Sequence, residues 1–180
     1  MEQVRYKQRN CNDPDKIEHF LTESRVGIVG LSTEKYPYAV PVNYVWFNGA
    51  VYFHGMGSGK KVELLSQSPN VCFTVYKEYG TVTDPVPCHA DTSYMSVMLF
   101  GRAHLVTDSE EGAQALQKVL DKYMPDFYKS KMSAALVEKY RSSHDDRPVA
   151  VFKIIPDEMT AKENAAEPEA LFPHGHPHSK

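Results

Sequence analysis

The sequence has little to cross-link with and nothing to span a bilayer with. Its 180 residues hold three cysteines, Cys11, Cys72 and Cys88, far apart and odd in number. No C-x-x-C pair occurs, so neither a disulfide framework nor a cysteine-rich zinc site is expected, and a cytoplasmic location in a reducing cytosol fits best. The first residues lack the apolar core of a secretory signal, and no apolar run reaches membrane-spanning length. A net charge of −3 offers no basic excess of the kind nucleic acid or an anionic membrane selects, so neither is expected as a partner. No serine stands in a G-x-S-x-G elbow, which argues against an α/β-hydrolase. No internal repeat is visible.

What is present is a series of short β-rich runs broken by turn signals. Asp13-Pro14 reads as a cap and first residue of a helix carrying Ile17, Phe20 and Leu21. Val26 to Ser32 reads as a strand. From Pro37 to Phe47 the residues alternate, with Val40, Val42, Tyr44 and Trp46 on one face and Ala39, Pro41, Asn43 and Val45 on the other. Asn48-Gly49 is a two-residue hairpin signal, and Ala50 to His54 is the returning strand. Pro41 implies an edge or irregular position.

Lys60 to Ser66 reads as a brief helix and Asn70 to Tyr76 as a strand. Tyr79 to Asp91 contains two prolines and reads as a loop. Ser93 to Val106 is a long strand whose Gly101 marks a bulge or a close backbone approach. Asp108 or Ser109 caps an amphipathic helix with Leu116, Val119 and Tyr123 on its core face. A short helix near Ala134 to Tyr140 and a last strand from Pro148 to Ile155 follow. Periodicity fades near Thr160, so one domain over residues 1–160 and a flexible, histidine-bearing tail over residues 161–180 are expected. Many strands with few helices suggest a mainly β fold: a closed or partly closed antiparallel barrel with peripheral helices.

The richest chemistry lies in Tyr52-Phe53-His54-Gly55-Met56-Gly57-Ser58-Gly59-Lys60-Lys61, where a strand runs into a glycine-rich turn and then a helix start. Small residues let a ligand approach the backbone, and helix-start amides with two ammonium groups favour a phosphate. The competing reading is a solvated helix start with exposed lysines. Adjacent lysines do not share a helix face, so a single one in contact with a ligand is also consistent. His54, at the strand end beside this turn, is either a hydrogen-bonded structural residue or a contact to cofactor or substrate. Cys88-His89 is adjacent in sequence, a poor arrangement for nucleophile and base. His174, His176 and His178 alternate with Gly and Pro, which gives a weak, adventitious site at best, so no metal is expected.

Residues Tyr38 to Leu65, together with Ser96-Val97 and Phe100-Gly101-Arg102-Ala103, resemble the pyridoxamine 5'-phosphate oxidase-like flavoproteins, and within them the 5-nitroimidazole-resistance branch. Pro41-Val42-Asn43-Tyr44, Tyr52-Phe53-His54-Gly55 and Gly59-Lys60-Lys61 carry the likeness by their joint order and spacing. The resemblance implies an FMN-binding split β-barrel and a homodimer with FMN at the interface. It places the flavin ring along Val40, Pro41, Val42 and Asn43. It places the phosphate side at Phe53, His54, Ser58, Lys60 and Lys61, and a further flavin contact at Ser96. The oxidases carry an arginine where Gly59 stands, a lysine where Asn43 stands, and an arginine-rich C-terminal segment absent here, so oxidation of pyridoxamine phosphate is not expected. The implied activity is an FMN-dependent oxidoreductase reducing a small planar acceptor such as a nitroaromatic, with His54 as the catalytic residue. The alternative is a flavin or haem carrier without turnover, His54 then serving as an axial ligand.

Overall fold

The computed structural model describes residues 6–143 and 146–173. Six antiparallel strands close into a barrel in the order β1-β2-β3-β6-β5-β4: β1 Val26–Leu31, β2 Tyr38–Phe47, β3 Ala50–Gly55, β4 Asn70–Val82, β5 Asp91–Leu105 and β6 Ala150–Asn164. Four helices lie around it: α1 Pro14–Glu23, α2 Lys60–Gln67, α3 Ser109–Tyr123 and α4 Ala134–Lys139. Local signals set several of these bounds. Asp13 accepts the N–H groups of Asp15 and Lys16 at the start of α1, and Asp108 accepts that of Glu110 at the start of α3. Asn48 and Gly49, with φ of 49° and 69°, join Phe47 to Ala50 as the hairpin signal requires.

The alternation of β2 is borne out. Val40, Val42, Tyr44 and Trp46 face the barrel interior, where Phe53, Phe73, Leu99, Phe152 and Ile154 are fully or nearly fully buried. Ala39, Pro41 and Asn43 are exposed, and Val45 joins Ala50, Tyr52, Ala115, Val119 and Val151 in a second cluster beneath α3. From Ala50 to Phe53 β3 is thus buried on both faces, its interior face by the barrel and its outer face by α3.

The barrel departs from the sequence reading in two places. Residues 80–82 and 91, expected in a loop, pair in the outer ends of β4 and β5, with a register shift between Glu78 and Gly80 that absorbs the irregularity. β6 continues through Asn164, pairing Ala161 with Val97 and Asn164 with Tyr94, where a flexible tail was expected from residue 161. Beyond it Leu171 bridges to Val82 and packs on Gly80. The physical cause is the long β4–β5 arm, which offers backbone partners to a polar segment that has no apolar periodicity of its own. His174, His176 and His178 lie outside the described residues.

Candidate functional site

The barrel is split where β2 and β3 part. Their ladder runs from Phe47–Ala50 to Tyr44–Phe53 and ends there. Asn43 and His54 would form the next pair, but from Val51 to Gly55 β3 pairs with β6, while β2 from Tyr38 to Asn43 pairs with β1 on its other side. Among the described residues one edge of β2 is therefore without a strand partner over this stretch.

Pro41 fixes which groups that edge presents. It has no N–H, so its position opposite Ile28 is one that exchanges no bond with β1, and its carbonyl faces the open edge. Alternation turns the N–H and C=O of Ala39 and Asn43 the same way. Tyr44 confirms the phase from the other side. Its N–H donates to the Tyr123 hydroxyl at 2.9 Å, and that hydroxyl donates to the carbonyl of Arg25, just before β1. Val40 and Val42 turn their side chains inward and their backbone groups to β1, so of the four residues expected along a flavin ring Pro41 and Asn43 present backbone groups at the open edge, with Ala39 beside them.

The start of α2 stands over the split. Gly59 is its N-cap with φ of 94°, and among the described residues no side-chain cap bond is made at this end. The two lysines diverge, as adjacent helix positions must. Lys60 places its ammonium 4.8 Å from the ring centroid of Tyr38 on β2. Lys61 reaches back over β3 and β6, its Nζ 5.2 Å from the Phe53 centroid and 5.4 Å from that of Phe152. Those two rings stack at 5.1 Å across the ladder. A Cβ on Gly55 would lie 2.8 Å from this Nζ, so the glycine makes room for the ammonium. Burial pushes the pKa of Lys61 down, and it belongs to none of the ion pairs among the described residues. A half-buried ammonium that rests on ring faces and pairs with no carboxylate among the described residues can receive an anion. Ser58 precedes Gly59 in the same turn.

His54 takes the opposite face of β3. It points outward with Ala50 and Tyr52 and lines an apolar cavity with α3 and α4. Burial, and then the charge of Lys61, hold its pKa below the ordinary imidazole value, so it is neutral at neutral pH. Asn43 also faces outward, so the two side chains flank the place where the strands part. Ser96 is on the outer face of β5, with β4 and β1 between it and Asn43, and one chain alone does not bring the two together. Phe53 is buried and contributes the ring beneath Lys61. The sequence reading missed Tyr38 and Phe152 as platforms for the two ammonium groups, because the partner of Phe53 is set by a ladder with a distant strand. Among the described residues no cluster of three or more His, Cys, Asp or Glu stands ready for a metal, and no helix is long and apolar enough to cross a membrane.

Residues 13–163 match the profile of the pyridoxamine 5'-phosphate oxidase family. Among solved structures, the chain is similar to the flavocytochrome Anf3 from Azotobacter vinelandii, with 23% identity, a TM-score of 0.73, and coverage of 91% of this chain and 73% of that one. A protein from Bacteroides thetaiotaomicron assigned to 5-nitroimidazole antibiotic resistance is 28% identical, with a TM-score of 0.65 and 85% of each chain covered. The FAD and haem binding protein from Mycobacterium smegmatis shares the fold at 15% identity and a TM-score of 0.70, over 88% of this chain and 74% of that one. No curated protein matches the chain.

Proposed function

We propose that this chain, a member of the pyridoxamine 5'-phosphate oxidase family, binds a flavin across the split in its barrel, as FMN, and reduces a small planar acceptor with it. The observation that carries the reading is an unpaired backbone edge on β2 beside two ammonium groups and an uncapped helix start. A flavin mononucleotide has the two matching parts: a flat ring with hydrogen-bonding groups along one edge, and a phosphate dianion.

Lys61, Lys60, Ser58 and the first amides of α2 would hold the phosphate. Asn43 and Pro41 would orient the ring through the open edge, and the Asn43 amide adds a donor and an acceptor from the outer face. Bound FMN supplies electron transfer between a donor and the acceptor. His54 would deliver a proton to the reduced acceptor after taking one up from solvent, and its depressed pKa makes the imidazolium a readier acid. A nitroaromatic is the acceptor class that the similarity to the 5-nitroimidazole resistance protein favours.

The site is completed by a second copy. Val26 and Ile28 on β1, Tyr76 on β4 and Met98 and Phe100 on β5 are exposed, and Pro41, Ile28, Thr74 and Met98 lie side by side in register on one outward row. This apolar face supports a homodimer, in which Ser96 of the second copy reaches a flavin that its own Asn43 does not share.

Replacing both Lys60 and Lys61 with Ala should weaken FMN binding about a hundredfold and riboflavin binding hardly at all, because only FMN carries the phosphate. Equal weakening of the two ligands overturns the phosphate assignment. Haem carriage through His54 is the competing reading, and an intense Soret band with no flavin bands in the purified protein would favour it.

A further inference from the structure

On the outer face of β3 the helix α3 covers Ala50 and Tyr52 but leaves space at the His54 end. A cavity of about 520 Å³ opens there between β3, α3 and α4. Its walls are Leu116, Val119, Leu120, Met132 and Leu136, with Val149 behind them. Its polar lining is His54, Lys139 and Tyr140, and no carboxylate lines it among the described residues. The size is that of a small-molecule site, which typically occupies roughly 300–1,000 Å³.

The roof is held by contacts outside the cavity, so the space is built into the fold. The N–H of Met132 donates to Gln117 Oε1 at 2.7 Å, and Ser133 caps α4. Val137 packs against Gly112 of α3. The mouth exposes Met124, Leu136 and Tyr140, apolar surface that the barrel core does not use. Charge distinguishes this cavity from its neighbour. The adjoining space of about 540 Å³ shares Val137 and Val149 but is also lined by Asp108 and Glu138. The cavity at His54 carries only cationic or neutral groups, and Lys139 belongs to no ion pair among the described residues.

We propose that this cavity is a ligand site for an apolar monoanion, a hydrocarbon body with one carboxylate or sulfonate. The hydrocarbon lies among the leucines and Met132, and the head group meets Lys139, His54 and the Tyr140 hydroxyl at the rim. The site adjoins the split through His54, and its occupation does not require a flavin.

The test uses the full chain stripped of flavin and three probes with one tail: octanoate, octan-1-ol and octylammonium, followed by calorimetry and by the imidazole resonances of His54. Octanoate should bind saturably and shift the His54 resonances, with octanol and octylammonium at least about tenfold weaker. Leu136→Trp, at an exposed mouth position, should lower octanoate affinity about tenfold with the circular dichroism unchanged, and Lys139→Ala should narrow the gap between octanoate and octanol. No saturable binding of octanoate, or binding that leaves His54 and the Leu136→Trp variant unaffected, overturns the site. Octanol binding as tightly as octanoate overturns its selectivity for an anion. Loss of FMN binding in separate titrations would bear on the flavin reading and leave these outcomes unchanged.

Discussion

Asn43 and His54 stand one register step beyond the last ladder pair of β2 and β3, Tyr44 and Phe53, on the outer face of strands that no longer bond to each other. The amide of the first and the imidazole of the second flank the split from its two lips. A ligand seated there meets a neutral donor–acceptor on one side and a titratable nitrogen on the other.

The uncharged amide sets one expectation. Asn43→Lys adds a cation beside the proposed flavin ring and should raise the flavin midpoint potential, because a positive charge stabilises the more anionic reduced form. Spectroelectrochemical titration of both proteins checks this. An unchanged or lower potential in the variant would refute the placement.

Lys61 and His54 are coupled through space. Burial and then the Lys61 charge depress the His54 pKa, so Lys61→Met should raise it, as read from imidazole shifts between pH 4 and 8. The same variant should bind FMN at least about tenfold more weakly, through loss of one charge-assisted contact to the phosphate.

Lys122 gives the chain a stability signature above neutral pH. Its ammonium donates to the carbonyls of Ser24 at 2.6 Å and Tyr44 at 3.2 Å, and burial lowers its pKa to about 8. The folded-state pKa lies below the unfolded one, so between pH of about 8 and 10.5 the unfolded chain holds more protons and Lys122 makes stability rise with pH. Below pH 8 both states are charged and this contribution is flat. The wild type should gain about 1–2 kcal/mol over that window relative to Lys122→Met, after allowing for solvent screening. Paired denaturation series at pH 7.5 and 10 measure the difference.

Tyr123 fills the ladder position that β1 leaves vacant. Its hydroxyl accepts the Tyr44 N–H and donates to the Arg25 carbonyl, so Tyr123→Phe leaves both without that partner and should cost about 1–3 kcal/mol in urea unfolding.

Gly101 faces the β6 backbone at the bulge. A Cβ there would lie 2.1 Å from the Ile155 carbonyl oxygen, an atom that cannot move without breaking register. Gly101→Ala should destabilise the fold by about 2–4 kcal/mol, measured by thermal or denaturant unfolding.

Much of this fold is written in local chemistry. The caps at Asp13 and Asp108, the Asn48-Gly49 turn, the two-faced β2 and the close approach at Gly101 each follow from one or two residues and their neighbours. The β4–β5 arm was hidden because Asp84-Pro85 and Pro87 break only the loop between the strands, while the flanking polar residues pair for lack of a better partner. The split was hidden because it depends on how far β3 stays paired with β2 while its other edge pairs with β6, a strand that the chain forms much later. The glycine-rich turn from Gly57 to Lys61 stands out in the sequence, while the directions of its two lysines and the cavity behind His54 depend on distant elements and do not.

The open edge of β2 has a second consequence. Unpaired strand edges invite stray strands from other molecules, and proteins guard them with proline, short length and lysine. Here Pro41 withholds a donor midway along the exposed stretch and Lys60 lies over Tyr38 at its start, so the edge proposed to meet a flavin carries its own guard against stray strands.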